Sequence, residues 1–207
     1  GIAHMLHKKL KVDLSGYYTR LDNALTRRDF TLNGASEIVY DGVLSRVQAI
    51  QNAAEAQVYG IHTGIELKLP SGFELTNDLH WQTGTEEMDD GSSSPARHAA
   101  PWFGATRLWF RAENLVIQGY SQYSGGLSHD QLAMEEQSKT EIYALDAQGN
   151  PYAPAWQTFN LKAQYSIDAH IELIAGVENI TDQRYRTYSS GISAAGRNLI
   201  LALRAQI

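Results

Sequence analysis

The chain has no cysteine. Disulfides, thiolate metal sites and cysteine nucleophiles are therefore all excluded. Long apolar runs are also missing. No stretch approaches the roughly 18 uninterrupted apolar residues of a membrane-spanning helix, and the mean hydropathy is −0.34. No secretory leader opens the sequence, and it begins at Gly1 without a methionine, the expectation for a processed or truncated product. Positive charge is in deficit: 17 Lys and Arg stand against 23 Asp and Glu, a net charge of −6. A basic nucleic-acid footprint is absent, so nucleic acid is not an expected partner. Helical periodicity is hard to find anywhere.

What is present is alternation. Leu10, Val12, Leu14 and Tyr18 share one face, opposite Lys9, Lys11, Asp13 and Ser15. Tyr59, Ile61, Thr63, Ile65 and Leu67 oppose His62, Glu66 and Lys68. Phe159, Leu161, Ala163 and Tyr165 oppose Thr158, Asn160, Lys162 and Gln164. Ile171, Leu173, Ala175 and Val177 oppose His170, Glu172 and Glu178, and Leu199, Leu201 and Leu203 oppose Asn198 and Arg204. A period of two places one face on apolar material and the other on water, the mark of half-buried strands. The runs predict eight full strands, at about 8–22, 43–69, 73–83, 101–111, 114–124, 155–166, 169–178 and 196–207. The second is long enough to expect a bulge near Asn52 to Glu55, and residues 1–6 read as part of a ninth strand.

The connections alternate as well. Tight turns at Pro70–Gly72, Ala112–Asn114 and Ser166–Asp168 are interleaved with long polar stretches at 31–42, 84–100, 125–154 and 179–195. Transmembrane β-barrels combine short turns at one rim with long loops at the other, and alternate apolar-out with polar-in. The fold class expected is thus all-β, an antiparallel transmembrane β-barrel. If the end of the chain is periplasmic, all three tight turns fall on the periplasmic side and every long loop faces outward. A soluble antiparallel barrel or sandwich also alternates, and so does a small self-contained eight-stranded outer-membrane protein. The soluble form requires its apolar faces to pack on one another.

Four segments then carry a resemblance: "AEAQVYGIHTGIEL", "RHAAPWFGATRLWF", "QGNPYAPAWQTFNLKAQY" and "GVENITDQRYRTYSSGISAAGRNLILALRAQI". They are similar to the C-terminal barrel portion of TonB-dependent outer-membrane receptors, particularly the Bacteroidetes-type branch. The most specific block is Glu178, Asn179, Ile180, Thr181, Asp182 and Tyr185, followed by Gly196 and Arg197 and a closing alternating strand. His62 stands where the family usually has Glu, and Ile207 where it usually ends in an aromatic ring. The resemblance implies that residues 1–207 form about the last eight strands of a larger barrel, with the plug domain and earlier strands absent. It implies outer-membrane lipid around the barrel, a small nutrient ligand such as a ferric siderophore, haem or cobalamin, and energy from the TonB complex through the absent N-terminal region. It implies a transport receptor of the Gram-negative outer membrane, not an enzyme, with no cofactor.

The chemistry-bearing residues are modest. None of the seven His has metal-ligand spacing, so no metal site is expected. His62, His80 and His170 fall on polar strand faces, where solvation explains them. His98 and His129 lie in outer loops and are the weak candidates for contacting a ligand. Glu86, Glu87, Asp89 and Asp90 crowd one loop, but their order does not match a calcium loop. No catalytic set is expected; His129 and Asp130 are adjacent, and neighbours on an extended chain point apart. Arg184, Arg186 and Arg197 are expected to hydrogen-bond the wall, or else to line the lumen. Trp102, Trp109, Trp156, Tyr120 and Tyr165 are expected in aromatic belts at the membrane interfaces.

Overall fold

A computed structural model of the protein describes residues 1–7, 9–88, 91–97 and 99–206. Fourteen strands appear among them. In chain order they are β1 (Ile2–His7), β2 (Leu10–Asp29), β3 (Glu37–Tyr40), β4 (Val43–Arg46), β5 (Gln48–Lys68), β6 (Phe73–Glu87) and β7 (Ser93–Pro95). There follow β8 (Phe103–Arg111), β9 (Leu115–Ser124), β10 (Ala144–Leu145), β11 (Pro151–Tyr152), β12 (Trp156–Ser166), β13 (Ile171–Glu178) and β14 (Asn198–Ala205). The described residues contain no α-helix, only single 3-10 turns at Pro70–Gly72 and His129–Gln131.

One antiparallel sheet runs β1-β2-β5-β6-β8-β9-β12-β13-β14, with β7 added at the loop end of β6. It is open, with β1 and β14 at its edges. The tight turns after β5, β8 and β12 all lie at one end, where the β1–β2 turn also falls, and the long connections all lie at the other. The eight expected strands are all present, and β1 supplies the ninth. Three boundaries differ by several residues. β2 continues to Asp29, β6 continues to Glu87, and β5 begins at Gln48, because residues 43–46 pair with 37–40 in a separate hairpin. Backbone ladders need no side-chain alternation, so pairing outlasts the apolar pattern that marks it. The expected bulge is there: pairing steps from Leu21↔Ala56 to Ala24↔Ala54 to Leu25↔Asn52, an extra residue on each strand in turn.

Register puts the apolar residues on one face. Leu10, Val12 and Gly16 oppose Leu67, Ile65 and Ile61. Ile61 opposes Trp81, Leu75 opposes Leu108, and Leu108 opposes Gly119. Gly119 opposes Leu161, Leu161 opposes Val177, and Val177 opposes Leu199. Lys162, Glu172 and Arg204 lie on the opposite face, as expected. Among the described residues nothing covers the apolar face: Leu199, Leu201 and Leu203 are 76%, 79% and 68% exposed. A sandwich would bury them against a second sheet, and the other sheets among the described residues are two small hairpins.

The aromatic belts are real, but their members differ from expectation. At the loop side of the apolar face Tyr18 opposes Tyr59, whose ring meets Trp81 at 6.0 Å. At the turn side Phe73 and Phe110 lie 4.9 Å apart, with Tyr165 farther along the rim. Eight residues separate Phe73 from Trp81, about 27 Å of strand, or about 19–22 Å of height at a tilt of about 35–45°, the scale of a barrel's apolar band of roughly 25 Å. Trp109, Tyr120 and Trp156 instead share the polar face: they oppose Glu74, Arg107 and Ser124 respectively. Parity decides this, since each is an odd number of residues from an apolar-face neighbour in its own strand.

β2 and β5 are 20 and 21 residues long, about twice the 9–11 residues a tilted span requires. Their loop-side halves extend past the apolar band and carry exposed ion pairs: Arg20 with Asp22 at 2.7 Å, and Arg46 with Asp29. Leu161→Arg, in the middle of the apolar band, should lower folded stability by about 2–4 kcal/mol. Gln118→Arg on the polar face should change it little. Loss of the cold-SDS gel shift of the folded barrel reads both.

Candidate functional site

The wall is a single layer and has little interior of its own. Much of the buried material lies where the long loops fold together at its open end. Leu132, Tyr143 and Ala153 form a small apolar core, against which Leu127, Ile142 and Tyr188 pack. Glu136, wholly buried at 0% exposure, ties the β9–β12 loop to the β7–β8 connection. It accepts a hydrogen bond from the Tyr143 hydroxyl at 2.6 Å, pairs with Lys139 at 2.6 Å, and meets Arg97 of the β7–β8 connection at 3.3 Å. Tyr188, from the β13–β14 loop, faces Tyr143 with ring centroids 6.2 Å apart. Burial pushes the Glu136 carboxyl up, but the bonds from Lys139 and Tyr143 and the charges of Lys139 and Arg97 outweigh it and hold it below the usual carboxylate range. Burial, and then the bond to Glu136, push the Tyr143 hydroxyl well up, so it stays a neutral donor.

The base of the β13–β14 loop explains the sequence block that ends at Tyr185. Asn179 is 3% exposed and holds φ at 48°, a conformation Asn tolerates better than most residues. Its side-chain amide donates to the carbonyls of Gln183 at 2.8 Å and Ala195 at 3.2 Å, and its side-chain oxygen accepts from the Gln183 N–H at 2.9 Å. Its own N–H donates to the Asn160 side chain at 2.8 Å. Asp182 accepts from the Arg197 N–H at 2.8 Å. A Cβ at Gly196 would stand 2.7 Å from that same carboxylate oxygen, so a larger residue there would push the Asp182 carboxylate out of its place. Arg197 donates to the Ile180 carbonyl at 2.9 Å. Glu178 pairs with Lys162 at 3.1 Å and accepts from Tyr120 at 2.9 Å. The Tyr185 ring lies 4.3 Å from Trp156.

Above this base, between the β9–β12 and β13–β14 loops, is a cavity of about 290 Å³. Trp156, Tyr143, Tyr185 and Tyr188 supply aromatic walls, and Arg184 and Arg186 supply charge. Arg186 is held in place: it donates to the carbonyls of Glu141 and Ile142, both at 2.9 Å. Arg184 is exposed and has no ion-pair or hydrogen-bond partner among the described residues.

Below, the polar face carries a ring ladder. His62 and His80 stack at 4.2 Å, and His80 stacks on Phe103 at 4.8 Å. Asp78 pairs with Arg107 at 2.6 Å beside them. Gly60 is bare because the Tyr17 ring crosses it to donate to Gln82 at 2.8 Å; a Cβ there would meet the Tyr17 hydroxyl at 2.6 Å. Among the described residues no three His, Asp or Glu side chains gather as metal ligands.

Of the two expected ligand contacts, His98 lies outside the described residues, as do Asp89 and Asp90 of the acidic loop and Ile207. His129 does not line the cavity; its Nδ1 is 3.0 Å from the Pro151 carbonyl. Asp130 accepts from the Ser128 hydroxyl at 2.5 Å, so Ser128, His129 and Asp130 form no nucleophile–base relay. The arginines divide. Arg197 bonds backbone at the base of its hairpin, as expected, whereas Arg186 bonds carbonyls of the β9–β12 loop rather than the wall, and both Arg184 and Arg186 border the cavity. The cavity's aromatic walls come from three separated segments, a convergence no local pattern marks.

Asn179→Ala should loosen the loop base by about 2–3 kcal/mol, since it strands several buried groups and strains a positive φ. Faster tryptic nicking at Arg184 or Arg186 in the folded protein would report it. Because the Glu136 carboxyl is held low, its stabilisation of the loop layer is complete above the ordinary carboxylate range. It is lost as pH falls through that depressed value. Hydrogen exchange of residues 132–143, corrected for intrinsic rates, should accelerate only in acid, and Glu136→Gln should flatten that dependence.

The comparisons agree with this architecture. The family model described as "TonB dependent receptor-like, beta-barrel" matches residues 1–180. No curated protein matches the sequence. Solved structures are similar in fold at low identity. "Copper transporter OprC" is 14% identical with a TM-score of 0.70, over 97% of this chain and 28% of that one. The siderophore receptor PiuA from Acinetobacter baumannii is 15% identical with a TM-score of 0.60, over 97% and 26%. A mutant ferric enterobactin receptor from Pseudomonas aeruginosa is 16% identical with a TM-score of 0.66, over 98% and 29%. The chain thus spans under a third of the length of these structures. Members of the matched family are outer-membrane transporters and not enzymes. The single sheet, its uncovered apolar face, the paired aromatic belts and the family match together make this chain a member of the TonB-dependent receptor β-barrel family, located in the Gram-negative outer membrane.

Proposed function

We propose that this chain is wall and outer loops of a receptor that captures a scarce small nutrient outside the cell and imports it with energy from TonB. The observation that carries the reading is the loop layer: three long connections are fastened together, by Glu136 with Arg97 and by Arg186 with the Glu141 and Ile142 carbonyls, and leave a partly enclosed cavity above a polar wall face. A purely structural barrel needs no such layer. The polar face beneath, with Lys162, Glu178, Arg107 and Asp78 paired along it, suits a water-filled or plugged interior. The plug and the TonB contact belong, in this reading, to receptor sequence N-terminal to these 207 residues. Ferric siderophores, haem and cobalamin are all candidate cargoes. His98 and His129, in outer loops, are proposed as secondary ligand contacts.

The test uses cells carrying the full receptor. Uptake of radiolabelled ferric siderophores, haem and cobalamin is compared with and without the receptor, and with and without TonB. At least one cargo should require both. Uptake that depends on the receptor but persists without TonB would remove the energised mechanism, and no receptor-dependent cargo at all would remove the transport reading.

A further inference from the structure

We propose that the cavity between the β9–β12 and β13–β14 loops selects small aromatic anions, a ring bearing a carboxylate, and that Arg184 is the residue that reads the charge. The proposal deepens the transport reading and rests on it for its biological meaning, though not for its chemistry.

Charge is the first argument. The chain is acidic overall, at −6, yet the cavity lining holds two guanidiniums and no carboxylate. Several other arginines on this protein are neutralised: Arg20 by Asp22 and Glu55, Arg97 by Glu135 and Glu136, and Arg107 by Asp78. Arg186 spends its hydrogen bonds on loop carbonyls, which hold it in place without cancelling its charge. Arg184 spends none among the described residues. A planar, unpaired guanidinium at the edge of a partly enclosed space matches the geometry of a carboxylate.

Shape is the second argument. Trp156 and Tyr185 form a tilted ring pair on one wall, and Tyr143 and Tyr188 form a second tilted pair nearby. These rings are fixed by packing and need little ordering when a flat ligand enters. The volume, about 290 Å³, lies at the small end of ligand clefts and admits a single substituted ring rather than a macrocycle. Hydroxyls of Ser189 and Ser193 border the same space and can bond ring substituents. A neutral aromatic ring would leave the guanidinium unanswered, and an aliphatic anion would leave the rings unused.

The experiment uses the full receptor in detergent, with 4-hydroxybenzoate as probe and 4-hydroxybenzamide as its neutral counterpart. Binding is followed by saturation-transfer NMR and by quenching of tryptophan fluorescence. The acid should bind saturably and roughly tenfold more tightly than the amide, the scale of one charge-assisted hydrogen bond. Arg184→Gln should abolish the difference. Arg184→Lys should restore part of it, because a point charge lacks the fork. Folding is not at risk in these variants, since the side chain makes no described contact; an unchanged cold-SDS gel shift verifies it. Equal binding of acid and amide, or a preference that survives Arg184→Gln, would overturn the proposal. Its failure is separable from that of the transport reading. Receptor- and TonB-dependent uptake without any acid preference removes only the ligand class. Acid preference without uptake removes only the import.

Discussion

Backbone pairing in a medium without water is the constraint on which the structure depends. Inside a bilayer an unpaired N–H or C=O has nothing to bond, so a chain crossing with strands must satisfy each strand from its neighbours. Every strand between the two edges of this sheet has two antiparallel partners. Once that is imposed, the pleat sends alternate residues to lipid and to the interior, and the alternation of Leu, Ile and Val with charged and amide residues follows. The short turns follow too, since each has only to reverse a strand at a rim.

The loops obey a different rule. They stand in water, where burial is favourable, and there the chain builds a small conventional core of Leu132, Tyr143, Ala153 and Tyr188 around a buried, fully answered carboxylate. Two kinds of cohesion therefore share one molecule. The wall is held by ladders and by its solvent, and the cap by packing and ion pairs. The cavity lies within the cap, where side chains can converge from several loops, rather than in the wall, where pleat and ladder dictate which way each side chain goes.

That division explains what could be read from residues alone. The strands were readable because period two is a local signal: Leu161 and Lys162 announce their opposite faces by being adjacent. The bulge near Asn52 was readable from length. Belt membership was not, because Trp109 and Trp156 are as aromatic as Trp81 and differ only in parity, which depends on where each strand's register locks. The role of Glu136 was hidden for another reason. Nothing in its own segment shows that Arg97, 39 residues earlier, meets it. The block from Glu178 to Tyr185 was recognisable as a pattern, but its meaning, a closure at the base of a loop, needed the contacts of Asn179 and Asp182.

That closure has a consequence for how the loop can change. Asn179, Asp182 and Gly196 clasp the two ends of the β13–β14 connection just above the wall. The distance between the strands is then set at the clasp and not by whatever lies beyond it. Residues 186–193 can lengthen, shorten or exchange chemistry without passing strain to the pairing of Val177 with Leu199. Arg184 and Tyr185 sit on the clasp itself, Arg186 to Ser193 beyond it. A lineage could thus retune what the mouth of the receptor holds by rewriting the segment beyond the clasp, while the wall beneath keeps its register.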